Sequence, residues 1–162
     1  FSMVKPVVSP SMSYSDDYIS ISFQVVRGPG YGVEGARRYI PYKGIAFTLL
    51  NKTDSVITID WNRISFVDYR GNSGNAVMHA NVKYADCAAP KSPTVIPPTG
   101  RLEDIIIPCY GVYFHSGMSY SMWYMSMLPS PRQYPKVQFG VFMPLQIGTE
   151  TVNYSFAFEG GV

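Results

Sequence analysis

Two histidines, His79 and His115, are the side chains of this sequence best suited to move a proton or hold a metal near neutral pH. His79 opens a polar stretch that continues with Lys83, Tyr84 and Asp86, so that an imidazole, an ammonium, a phenol and a carboxylate fall within one short segment. Such a set suits acid–base chemistry or the binding of a polar ligand, and a site, where there is one, is expected there. A zinc centre needs three or four protein ligands, and no spacing around either histidine repeats a ligand motif. The expectation is therefore polar residues at strand ends, with no metal, no cofactor and no catalytic residue.

Other chemistry is weaker still. Serine is abundant, but no Gly-x-Ser-x-Gly elbow occurs, and two histidines leave little choice of base. The run Arg27-Gly28-Pro29-Gly30-Tyr31-Gly32 has the glycine content of a phosphate cradle without its order, and no helix follows to lend an N-terminal dipole; it reads as part of a surface loop over 27–43. Met118, Met122, Met125 and Met127 crowd around Tyr120, Trp123 and Tyr124, and clustered thioethers select Cu(I). On a strand, however, Trp123, Met125 and Met127 share one face, as core residues do. Asn51-Lys52-Thr53 and Asn153-Tyr154-Ser155 match the glycosylation acceptor pattern, but such triplets arise by chance.

The elements that must position these groups are strands. Around a turn at Asn51 to Asp54, Ile45, Phe47 and Leu49 fall on one face, and then Ile57, Ile59 and Trp61 do the same. Ile19, Ile21, Phe23 and Val25 alternate with Ser20, Ser22 and Gln24, and Val152, Tyr154, Phe156 and Phe158 repeat the pattern near the end. A period of two calls for a sheet with one covered face, so the core should close by packing sheet on sheet. Further strands are expected at 64–69, 76–86, 94–96, 104–107, 118–128 and 136–147, about eight to ten in all and mostly antiparallel. Pro144 should place the last of these at an edge or a bend. Residues 1–16 show no periodic face and read as an extended tether leading into one domain over 17–162.

Composition narrows the function classes. Of 162 residues, 46% are apolar and 15% charged, and with 13 Tyr, 14 Gly and 13 Pro this reads as short strands joined by tight turns. The net charge is +2 and the basic residues are scattered singly apart from Arg37-Arg38, so no stripe marks a nucleic-acid partner or an anionic membrane. No apolar run is long enough to span a bilayer. The chain opens on Phe1, which points to a trimmed or processed form with any signal peptide upstream.

Cys87 and Cys109 flank a strand, a Pro-Pro turn and a second strand. A disulfide closing that loop would add about 3 kcal/mol and would suit an oxidising compartment. Spacing alone leaves the other reading, two free thiols in a reduced protein, standing.

The stretch from Asn51 through Trp61-Asn62, continued by Val67-Asp68-Tyr69-Arg70-Gly71-Asn72-Ser73, resembles a loose group of bacterial lipoproteins with immunoglobulin-like sandwiches. The likeness continues through Val77 to Asp86 and Pro93 to Pro98, within residues 44–108. It implies an immunoglobulin-like fold, export, and no assigned enzymatic activity. It also implies anchoring through an acylated cysteine, which would have to lie upstream of Phe1.

The functional expectation is a non-enzymatic domain, extracytoplasmic in periplasm or at the cell surface, that contacts a protein or glycan through its loops or plays a structural role. Tyr31, Tyr39, Tyr42, Tyr110, Tyr113 and Tyr134 in or near those loops offer large contact area at low entropy cost. Membrane contact is expected only through a lipid anchor. Three rivals stand beside it. One is a metal or small-ligand carrier using His79, His115 or the Met118–Met127 cluster. Another is an enzyme acting on carbohydrate at Lys83, Tyr84 and Asp86, and the third is a self-assembling capsid or fibre sandwich.

Overall fold

A computed structural model describes residues 1–28, 32–34, 37–119, 121–130 and 132–161. The strands are β1 (Ser2–Lys5), β2 (Ser13–Ser15), β3 (Ile19–Arg27), β4 (Gly32–Glu34), β5 (Arg37–Tyr39), β6 (Tyr42–Asn51), β7 (Ile57–Ile59) and β8 (Ser65–Val67). They continue with β9 (Val77–Met78), β10 (Thr94–Ile96), β11 (Arg101–Pro108), β12 (Val112–Ser116), β13 (Ser121–Met125), β14 (Lys136–Ile147) and β15 (Glu150–Gly161). Two antiparallel sheets form a sandwich: β1-β15-β14-β7-β10, with β8 also on β14, and β2-β3-β6-β11-β9. The all-β sandwich expected from the alternation is what the chain builds. Strands of only two or three residues, β7, β8 and β10 in the first sheet and β2 and β9 in the second, raise the count above the expected eight to ten.

The alternating residues face inward as their period requires. Ile19, Ile21 and Phe23 of β3 and Ile45, Phe47 and Leu49 of β6 are buried, and they meet Tyr154, Phe156 and Phe158 of β15 across the gap. Phe23 lies 4.8 Å from Phe156 and 5.0 Å from Phe158, ring centre to ring centre. Each such side chain contributes about 1.5–3 kcal/mol by leaving water.

β14 is central, not an edge, yet its proline is accommodated as a break. β15 pairs with it without interruption, whereas on the other side β8 covers Gly140–Phe142 and β7 covers Leu145–Ile147. Pro144 falls in the interval between the two, where a missing amide donor costs the ladder nothing. The same interval is the turn 60–64, from which Trp61 drops into the core.

Residues 1–16 are not a tether. β1 is the edge strand of the first sheet, β2 that of the second, and the segment between them closes one side of the sandwich with Met3 and Met12 buried beneath it. The period was invisible because each strand contributes a single inward residue. The mirror-image strap on the other side runs from β9 to β10 and corrects a second expectation, since residues 76–86 hold only the short β9 and then a 3-10 turn at Tyr84–Asp86. Of the expected loop over 27–43, β4 and β5 make a hairpin, and Pro29 to Tyr31 with Gly35 and Ala36 lie outside the described residues.

At the end of the sandwich where β2 turns into β3, Asp16 ties the sheets together. Its Oδ1 accepts the amides of Tyr18 and Ile19, each at 2.8 Å, and its Oδ2 accepts the Tyr154 hydroxyl at 2.7 Å from the opposite sheet. Burial alone would raise this carboxyl, but the hydrogen bonds from Tyr154, Ile19, Tyr18 and Tyr14 outweigh it and hold the group below its usual range. Burial, with Asp16 adjacent, pushes the Tyr154 phenol well up. A depressed carboxylate stabilises the fold above its unfolded pKa of about 3.9, and that contribution disappears as pH falls through the lower folded value. Asp16→Asn should cost about 1 kcal/mol at pH 7, and urea titrations at descending pH should show variant and wild type converging below about pH 4. A gap that is unchanged at pH 3 would contradict the tie.

Asn51, fully buried at the same end, spends its amide inside the fold. Its Nδ2 donates to the carbonyls of Ser55, Ile96 and Pro97, and its Oδ1 accepts from the amide and hydroxyl of Thr53. The first glycosylation-like triplet therefore has its acceptor asparagine buried and cannot carry a glycan in the folded chain.

Candidate functional site

The strap between β9 and β10 forms one wall of an open groove of about 690 Å³, which His79, Lys83 and Asp86 line together with Lys91, Thr94 and Asp104. His79 leaves the end of β9, where its Nδ1 shares a 3.2 Å hydrogen bond with Oδ2 of Asp104 on β11. Oδ1 of the same carboxylate accepts the amides of Ala80 at 2.9 Å and Ile105 at 2.7 Å. Trp61 covers one face of the imidazole, stacked at 4.0 Å and within 5° of parallel. The indole Nε1 donates to Thr94 Oγ1 at 2.8 Å. One ring nitrogen and one ring face are thus committed to the fold, which makes His79 a well-oriented but mostly enclosed side chain.

Lys91 is equally committed. Its ammonium donates to the carbonyls of Cys87 and Ala89, burial lowers its pKa, and its own backbone is clamped by Asn62 at 2.9 and 2.8 Å. Of the four residues singled out in the sequence, Tyr84 does not line the groove; it packs toward Trp123 at 6.0 Å and a small satellite core of Met78, Cys87, Ile107 and Met125. Among the described residues no three His, Cys, Asp or Glu side chains gather as a metal would require. His115 sits on a different feature, against Tyr124. The methionines also diverge: Met127 enters the main core, Met125 the satellite core, and Met118 is fully exposed.

Cys87 and Cys109 are joined by a disulfide with 5.7 Å between their Cα atoms. It ties the strap to the end of β11, where the chain leaves the sandwich as a two-stranded ribbon of β12 and β13. Gly111 at the root lets the two legs close, since a Cβ there would stand 2.2 Å from the Ser126 carbonyl. The Ser126 amide donates to Gly111 at 2.9 Å, and the Tyr110 hydroxyl to the Met127 carbonyl.

Exposure rises from root to tip. Val112 is half-buried, Tyr113 and Phe114 are each 52% exposed, and Met118 in the turn has no cover at all. Register pairs Tyr113 with Tyr124 on one face and Phe114 with Trp123 on the other, at ring distances of 5.5 and 5.3 Å. Both faces of the ribbon are consequently aromatic. That double-sidedness leaves β12 without alternation, although one signal is legible: residues 105–131 contain no Asp, Glu, Lys or Arg.

Topology brings the loop tyrosines to this same end. β3 finishes here, β6, β14 and β1 begin here, and β11 and β15 finish here. Tyr110, Tyr113 and Tyr134 are exposed, and Tyr134 meets Tyr69 at 5.0 Å. Tyr42 is half-buried under the Arg27 guanidinium at 4.2 Å, and Tyr39 is also half-buried. Tyr31 and Tyr120 lie outside the described residues.

The disulfide is compatible with an extracytoplasmic location, and no described helix is long and apolar enough to cross a membrane. No family model matches the sequence. No curated protein matches it either. Among solved structures the chain is similar to the X-ray structure of Northeast Structural Genomics Consortium target SoR45, at 10% identity and a TM-score of 0.49, over 91% of this chain and 89% of that one.

Proposed function

We propose that this chain is a non-enzymatic extracytoplasmic interaction domain whose working surface is the aromatic end of the sandwich, contacting a protein or glycan of the cell envelope. The observation that supports the reading is the β12–β13 ribbon, which exposes Tyr113 and Phe114 where a fold serving only itself would bury them. The groove at His79 supports a reactive site less well, because its imidazole, Asp104 and Lys91 are bound to one another's surroundings and maintain the strap.

The test combines fractionation with capture. Wild-type protein should partition with the envelope and retain a partner from envelope extract, and Tyr113→Ser with Phe114→Ser should lower the amount retained about tenfold with an unchanged melting temperature. Cytosolic partitioning, or equal capture by the double variant, would overturn the reading.

A further inference from the structure

Read along the chain, the basic residues are scattered; folded, many of them collect at the root of the ribbon. Arg27, Lys43, Arg70, Arg132 and Lys136 stand at that end of the sandwich against Asp68 and Glu159, and Arg37-Arg38 with Glu34 lie on the neighbouring hairpin. Beyond this basic collar the ribbon carries no charge. Tyr and Trp prefer the boundary between an apolar and an aqueous phase, so an uncharged Tyr/Trp/Phe/Met tip above a basic collar has the layering of a lipid interface: acyl boundary, headgroup, phosphate.

Three features favour lipid over a protein groove or a sugar. Rings on both faces suit a surrounding medium, whereas a partner seated on a ribbon covers one face. The tip bears an exposed methionine, and beside Ser, His115 and the polar tips of its Tyr and Trp rings the ribbon carries no carboxylate, amide or cationic side chain to fix sugar hydroxyls. The collar adds charge complementarity to anionic phosphates. We propose that the β12–β13 ribbon inserts into the interface of an anionic bilayer, with the net positive charge of the collar facing the lipid phosphates. Insertion stops at about 5–10 Å, because both outer edges of a two-stranded ribbon keep unpaired backbone groups that hydrocarbon cannot satisfy. The inference rests on the aromatic end being the contact surface and gives that surface a lipid ligand of its own.

Tryptophan placement makes the test direct, since Trp61 is 1% exposed in the core and Trp123 is on the ribbon. Full-length protein is mixed with vesicles of phosphatidylcholine containing 30% phosphatidylglycerol, and with pure phosphatidylcholine, each with and without brominated acyl chains. The expected result is a blue shift and bromine quenching with the anionic vesicles, both absent in Trp123→Phe, and partitioning lowered about tenfold by Tyr113→Ser with Phe114→Ser. Arg70→Gln with Arg132→Gln should weaken binding to the anionic vesicles and leave the weak binding to neutral ones alone. No partitioning of wild type to anionic vesicles at low salt, or binding without quenching of Trp123, overturns the lipid assignment. If the envelope capture described above still depends on Tyr113 and Phe114 in that case, the contact surface stands and its ligand is a protein or glycan instead.

Discussion

Trp61→Ala lowers stability by about 4 kcal/mol, the upper range for removing a large buried aromatic. The strand that should have carried this residue ends at Ile59, and the chain from 60 to 64 spans the gap between β7 and β8 with the indole as its anchor. Phe47 lies 6.3 Å from the ring and His79 stacks on its other side at 4.0 Å, so truncation opens a cavity between the sheets and uncovers the imidazole together. Thr94 on β10 also loses the indole Nε1–H that Trp61 donates to its hydroxyl. Trp61→Phe keeps most of the volume and loses the donor, and should cost about half as much. Urea unfolding followed by circular dichroism gives both values; a loss under about 1 kcal/mol for the alanine variant would show that the interval between β7 and β8 along β14 is held by something else.

Removing the Cys87–Cys109 bond, as Cys87→Ala with Cys109→Ala, should cost about 3 kcal/mol, the chain-entropy value for a closure across 22 residues. The effect is not spread evenly. Cys87, Met78, Ile107 and Met125 form the satellite core that joins the strap to the ribbon root, so this region should open before the sandwich does. Hydrogen exchange on the double variant should rise first in 79–91 and 109–126, while β3, β6, β14 and β15 stay protected. Uniform acceleration across all strands would contradict a local role. Contact through the ribbon should weaken as well, since its base then moves.

Legibility followed the physics of the period. Strands covered on one face, such as β3, β6 and β15, announce themselves by alternation, and the sandwich follows from them. Elements that turn one residue each toward the core, as β1 does with Met3 and β2 with Tyr14, leave no period to read, so the sequence there reads as a tether. β12 failed for the opposite reason, being aromatic on both sides. At the groove, His79, Lys83 and Asp86 were close enough in sequence to be grouped, but Asp104 and Trp61, which decide what His79 can do, arrive from β11 and from the turn after β7. No local pattern connects them, because they meet His79 only through the tertiary packing of the strap against β11 and the turn after β7. Tyr84 was misplaced by the 3-10 turn, which points successive side chains in different directions where a strand would have kept alternate ones together.

The central claim is that the ribbon is the surface through which this domain meets the envelope, and its methionines provide the probe. Met3, Met12, Met78, Met125, Met127 and Met143 are buried, whereas Met118 at the tip is fully exposed. Peroxide footprinting read by mass spectrometry should find Met118 the fastest of these to become sulfoxide in the free protein, and should find it protected several-fold once envelope fraction is added. Met118 oxidised equally fast with and without envelope, while the domain is demonstrably bound, would place the contact elsewhere.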